Sequence, residues 1–295
     1  MSWKLIYWVL GAVALLPLLN LLLGIHPPRF KTNDDPARYG LDYEDVSFKT
    51  IDGLTLRGWF IPVASADNEA ATARATVLVG HGYPADKANV LSHALFLHSR
   101  FNILLFDFRY FGESEGWYTT AGLLETRDVD AAVSYLERRA DVDQARIGAM
   151  GFSMSAAAFL LARHSNLRAI VADSPYATLE ALIARQFFLF PGPTKWPFVF
   201  LTKLYARLLL GVKVADAAPA EAVKRLMTPL LIIHGKADSQ IPVAHTQQMQ
   251  ANANPDTTEV WIVQGADHGM AHAFAGNMYE LRVRDFFDRH LSQTS

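Results

Sequence analysis

RIGAMGFSMSAAAFLLARH, residues Arg146–His164, decides the fold. Arg146–Met150 is a short apolar run with the length of a buried strand, and Met154–His164 reads as a helix. Between them lies Gly151-Phe152-Ser153-Met154-Ser155, with small residues two before and two after the central serine. This spacing predicts a tight strand-to-helix turn that lifts the Ser153 hydroxyl above a sheet edge. The pattern is G-x-S-x-G with Ser155 in place of the last glycine. A serine hydroxyl is a poor nucleophile at neutral pH, so the reading demands a nearby base. The competing reading is an ordinary serine that caps a helix.

Working outward, apolar runs alternate with helical patterns. Val46–Ile51 and Leu54–Val63 flank Asp52-Gly53 and read as a hairpin. Short strands are expected at Ala75–Val79, Asn102–Phe106, Ala169–Ala172, Leu230–His234 and Val260–Val263. Helices are expected at Asn89–Arg100, at Glu125–Arg139 and from about Gly276 to His290, with a surface loop over Ala64–Arg74. Such alternation implies an α/β fold, a mostly parallel sheet with helices on both faces. The interval from about 175 to 228 is too long for a plain connection. Its Gln186–Phe200 stretch, QFFLFPGPTKWPFVF, predicts an inserted lid with an apolar lining.

Two further residues take up the chemistry of Ser153. Asp238 follows Leu230–His234 and His268 follows the strand ending at Val263. Each therefore lies beyond the carboxyl end of a parallel strand, where crevice sites form. His268 is the candidate general base, and Asp238 the carboxylate that would orient it and stabilise the imidazolium. Asp173, also after a strand, is the alternative acid. His81-Gly82-Tyr83-Pro84 follows Ala75–Val79 and would aim the Tyr83 N–H at a developing oxyanion, with the Met154 N–H as second donor. His81 itself reads as structural. His268 and His272 are four apart, but no carboxylate completes an H-E-x-x-H pattern, so no metal is expected. No glycine-rich phosphate loop is present, and no cofactor is expected.

The chain has 295 residues, 51% of them hydrophobic, which is ample for a large core and excludes general disorder. A net charge of -2 with no basic stripe offers nothing to nucleic acid. The absence of cysteine excludes disulfides, thiol catalysis and thiolate zinc sites. Leu5–Ile25 carries no formal charge and is long enough to cross a bilayer. Residues 1–25 are thus expected to be a single-pass membrane anchor, 26–45 a linker, and 46–295 the globular domain. A cleaved signal peptide and a docked terminal helix are the rival readings. A few more basic residues follow the span than precede it, which leans the body towards the cytoplasm. Ser153, Asp238 and His268 all lie after Ile25, so deleting residues up to Ile25 is expected to move the protein to the soluble fraction and preserve activity on a water-soluble ester.

Five pieces together carry a family resemblance: HGYP at 81–84, DFRYFGES at 107–114, GFSMS at 151–155, HGKAD at 234–238 and GADHG at 265–269. From about Val46 to His290 the chain resembles an α/β-hydrolase of the dienelactone-hydrolase and prolyl-oligopeptidase-like branch. That branch includes membrane-anchored acylglycerol lipases and thioesterases. DFRYFGES resembles a turn that is usually structural in the family, so Asp107 and Arg109 receive no catalytic role. The resemblance implies a serine hydrolase acting on an ester or thioester with an apolar acyl group. A peptidase or amidase on the same residues, and a membrane-tethered binding protein without activity, remain the alternatives.

Overall fold

The computed structural model describes residues 3–63, 73–162 and 166–292. Within the first helix the side chains at 5, 6, 9, 10 and 12 lie outside that description. The loop expected over Ala64–Arg74 falls outside it as far as residue 72, and so do residues 163 and 164 of the helix expected after Ser153.

The strands are β1 Glu44–Lys49, β2 Thr55–Ile61, β3 Arg74–Gly80, β4 Asn102–Phe106, β5 Val142–Phe152, β6 Ala169–Asp173, β7 Leu230–Gly235 and β8 Thr258–Val263. They form one sheet in the order β1-β2-β4-β3-β5-β6-β7-β8. β1 and β2 pair antiparallel through the Asp52-Gly53 turn, β2 pairs antiparallel with β4, and every later pairing is parallel. The parallel strands are almost continuously apolar because both faces are covered. Alternate residues serve opposite cores: Leu78, Ala149 and Ile232 face one, Val79, Met150 and Ile233 the other.

The helices of the body are α2 Lys87–Ala94, α3 Thr126–Glu137, α4 Met154–Leu161, α8 Ala244–Asn252, α9 Ala271–Ala275 and α10 Asn277–Leu291. α3 and α4 cover one face with Val129, Val133, Leu136 and Phe159; α2 and α10 cover the other with Leu91, Tyr279, Val283 and Phe286. α2 begins two residues before the sequence expectation. Asp86 and Asn89 form a reciprocal capping box that satisfies two otherwise orphaned N–H groups.

The interval from 175 to 228 folds mainly as α5 Leu179–Gln186, α6 Trp196–Leu210 and the short α7 Pro219–Ala222. Thr178 caps α5, and Gly211 ends α6 in the left-handed conformation that glycine adopts most cheaply. Against this cap lies α1, Trp3–Ile25, with Pro17 inside it. Pro17, Leu21 and Ile25 are four apart, share one stripe and are buried. Leu21 and Ile25 pack with Ile183, Phe198, Val199 and Ala206. Each such burial contributes about 2 kcal/mol. Leu15, Leu19, Leu22 and Leu23 are exposed. Among the described residues no helix is long and apolar enough to cross a membrane, so the span expected at Leu5–Ile25 finds no support.

Candidate active site

β5 runs into α4 at Ser153, whose φ of 54° and ψ of -106° are strained for a residue with a Cβ. Two contacts hold the turn. The Ser153 N–H donates to the Asp173 carbonyl on β6 at 2.8 Å. Gly151 lies so close to α4 that a Cβ there would sit 2.6 Å from the Ala156 nitrogen. Ser155 does more than stand in for glycine. Its Oγ accepts from the Phe152 N–H at 2.8 Å and donates to the Gly80 carbonyl at 2.8 Å, tying β3 to the turn.

The three candidate side chains meet above the carboxyl ends of β5, β7 and β8. Ser153 Oγ is 3.0 Å from His268 Nε2, and His268 Nδ1 is 2.7 Å from Asp238 Oδ2. The other Asp238 oxygen accepts the backbone N–H groups of Gln240 and Ile241 at 2.9 and 2.7 Å. Burial works to raise the Asp238 carboxyl, but hydrogen bonds from His234, His268 and the Ile241 backbone outweigh it. They hold the group well below the usual carboxylate range. This arrangement can fix the imidazole with its proton on Nδ1, leaving Nε2 free to take the serine proton.

The alternative acid is elsewhere. Asp173 is buried beneath the turn, accepting from the Tyr279 hydroxyl at 2.8 Å and the Ser174 hydroxyl at 2.8 Å, and burial raises its carboxyl. His272 pairs with Glu280 at 3.1 Å rather than sharing a ligand with His268. Asp107 accepts both the N–H and the ammonium of Lys87, and Arg109 is bound between Asp128 and Asp52. Neither joins the Ser153 cluster.

The two candidate oxyanion donors flank Ser153. The Met154 N–H opens α4 and so has no partner within its own helix. Tyr83 follows Gly82, where an added Cβ would touch Ser153 Cβ at 3.6 Å, so this backbone lies against the serine. His81 is fully buried. Its Nε2 accepts the Phe108 N–H at 3.0 Å, so the proton resides on Nδ1, which donates to the Gly82 carbonyl at 2.8 Å.

Ser153, Met154, Tyr83 and His268 open onto a cavity of about 380 Å³, within the usual range of small-molecule sites. Leu179, Leu182 and Ile183 of α5 and Ala206 and Leu210 of α6 give it an apolar wall. Sequence reasoning missed three contributors. His234 lies beneath Asp238 at 3.3 Å, donates from Nε2 to the Ile241 carbonyl and accepts the Thr246 hydroxyl at Nδ1. Glu125 gathers the Thr119 and Thr120 hydroxyls and the Thr120 and Gly122 N–H groups, shaping the loop along the cavity. Both act through folded contacts that leave no local spacing to read. The third is α1: Asn20, Leu21, Gly24 and Ile25 line the same cavity. α1 thus reaches the cavity, although Ser153, Asp238 and His268 all lie after Ile25. A helix that is apolar all round does not announce which stripe docks.

A match to the prolyl oligopeptidase family spans residues 114–294, more than half of the chain, and includes Ser153, Asp238 and His268. The chain belongs to the prolyl oligopeptidase family. The uncharacterized protein YfhR of Escherichia coli strain K12 is 32% identical over 261 residues, 85% of this chain and 84% of that protein. A solved relative is the esterase Pf2001 of Pyrococcus furiosus, 29% identical with a TM-score of 0.72, covering 91% of this chain and 98% of that one. Likeness to the Pyrococcus horikoshii acylaminoacyl peptidase, at 17% identity and a TM-score of 0.62 over 86% of this chain and 42% of that one, extends to the fold alone. The family member described here has the α/β-hydrolase fold and is a hydrolase of that type.

Proposed function

We propose that this family member is a serine esterase or thioesterase for substrates with an apolar acyl group. The observation that carries the reading is the hydrogen-bonded series Ser153–His268–Asp238 opening onto a cavity walled by leucine and isoleucine. Ser153 attacks the carbonyl carbon while His268 takes its proton, and the developing oxyanion turns towards the N–H groups of Tyr83 and Met154. His268 then gives the proton to the departing alcohol or thiol, and water releases the acyl group by the same steps in reverse order. Similarity to an esterase at 29% identity supports the reading. A fluorophosphonate probe should label the protein at Ser153. A panel of esters, acyl thioesters and peptide amides should then show ester or thioester turnover well above amide turnover. Preferred amide cleavage would replace the reading with a peptidase; an unlabelled, inactive protein would leave a binding protein.

We further propose that this chemistry takes place at a bilayer. Residues 1–33 and 181–215, which include α1 and α6, hold eight Lys and Arg residues and no Asp or Glu, while Glu180 of α5 pairs with Lys203. Phe188, Leu189, Trp196, Phe200 and Leu208 are exposed on the same cap. A basic surface carrying apolar side chains suits an anionic lipid surface. Fractionation is the test: the full chain should sediment with membranes, and a protein that stays soluble in their presence would remove the bilayer from the account.

A further inference from the structure

The last turn of α1 is built into the site as well as lying over it. Among its otherwise orphaned carbonyls, that of Gly24 accepts the Tyr83 hydroxyl at 3.0 Å and that of Ile25 accepts the Thr119 N–H at 3.0 Å. Both partners line the cavity that holds Ser153. Farther back, the Tyr205 hydroxyl of α6 donates to the Ala14 carbonyl at 3.1 Å. Beyond the helix, Arg29 donates to the carbonyls of Gly112 and Ser114, and Tyr110 to that of Pro27. α1 is thus fastened to the oxyanion loop, the cap and the body at once. Its composition agrees with this placement. Asn20, the polar break in an apolar helix, falls at a position that faces the cavity. Gly24 lines the cavity too, and a Cβ added there would meet nothing within 4 Å.

We propose that α1 is one wall of the acyl-binding site, and that Gly24 and Leu21 determine how much apolar chain the enzyme accepts. The acyl chain lies between the last two turns of α1 and the facing stretch of α6, where Thr202, Ala206 and Leu210 reach the same space. The inference rests on the esterase reading and names the substrate class it takes: esters whose acyl chain outgrows the pocket beside Ser153 and runs along the helix. A side chain at 24 fills space that methylenes would otherwise occupy. Each methylene excluded from an apolar site is worth about fourfold in binding.

The test compares kcat/KM for p-nitrophenyl acetate, octanoate and dodecanoate, using the full chain in detergent. Gly24→Leu should lower the octanoate-to-acetate ratio by more than about tenfold, because a leucine side chain displaces several methylenes. Leu21→Ala, which widens the same wall, should shift the preference the other way, raising the dodecanoate-to-octanoate ratio several-fold. Leu23→Ala, on the exposed side of α1, should leave the ratios at the parent's values. Fluorophosphonate labelling of each variant reports a folded Ser153 site irrespective of chain length. Labelled Gly24 and Leu21 variants with the parent's chain-length profile would overturn the proposal and leave the esterase reading intact. Should Gly24→Leu fail to fold, the opposite shift in Leu21→Ala decides alone. A parent that is neither labelled nor active overturns the esterase reading itself.

Discussion

Ser155 shows how a departure from a motif is absorbed. Where G-x-S-x-G has its second glycine, this chain has a hydroxyl that bridges two strands, and Gly80 has no side chain because Ser155 fills the space. A Cβ on residue 80 would lie 2.6 Å from Ser155 Cβ and 3.0 Å from the Phe108 ring. Gly80→Ala should therefore destabilise the parent more than it destabilises a Ser155→Gly background. A coupling of at least about 1 kcal/mol in a double-mutant cycle of urea unfolding is the expected result. Additive effects would show that the two positions relax independently. Asp238 permits a second residue-scale prediction. Asp238→Asn keeps the side-chain shape but supplies a neutral amide that can leave the proton on the wrong imidazole nitrogen. The rate constant kcat should fall by roughly 10³ to 10⁴ while fluorescence and circular dichroism stay native. Retention of most activity would remove Asp238 from the mechanism. Ser153, Asp238 and His268 were legible because each follows an apolar strand in chain order. His234 and Glu125 were not, because their partners are set by the fold.

Among the elements, legibility followed the hydrophobic pattern. The apolar run Asn102–Phe106 coincides with β4, a strand buried along its whole length. α8 went unread because Thr246 and Met249 alone are buried among its nine residues, leaving no apolar face to detect. The Gln186–Phe200 stretch declared itself as an apolar insertion, but its prolines hid α6, which starts with proline in its first turn, where the missing N–H costs nothing. Where an element begins also depends on side chains outside it. Glu125 precedes α3 and anchors the 119–122 loop with four accepted hydrogen bonds. Glu125→Gln turns one acceptor oxygen into a donor facing donors. That should cost about 2 kcal/mol or more, seen as a fall of several degrees in Tm. An unchanged Tm would mean that the loop holds its shape without the carboxylate.

For the whole molecule, the buried His81 and the half-buried His93 and His245 contribute to stability against acid. Burial lowers the proton affinity of His81, and likewise of His93 and His245. His81 Nε2 faces an N–H donor, and a proton there would place two donors against each other. In the unfolded chain these rings accept protons near the ordinary imidazole value of about 6.5. Their contribution is therefore complete above that pH and is lost progressively as pH falls from about 6.5 towards the lowered folded values. Asp238, held below the carboxylate range, adds a loss only at lower pH still. Asp128 and Asp173, whose carboxyls burial raises, act in the opposite sense, and a Tm that is level above pH 7 and declines between about pH 6.5 and 5 is expected where the histidines dominate. A level Tm down to pH 4.5 would show that they do not.

The contact between Gly80 and Ser155 also makes the two positions interdependent. With glycine at 155, an alanine at 80 would lose its nearest clash, the serine Cβ at 2.6 Å, and keep the 3.0 Å approach to the Phe108 ring. The Ser155 hydroxyl's bond to the Gly80 carbonyl makes a change costly at either position. A glycine at 155 alone leaves the buried Phe152 N–H and Gly80 carbonyl without their partner. Enlarging 80 alone drives a methyl group into the serine. Neither single change is favourable in this background, so the two residues behave as a matched set. Chimeras that exchange the strand ending at Gly80 without the helix beginning at Met154 should inherit the mismatch.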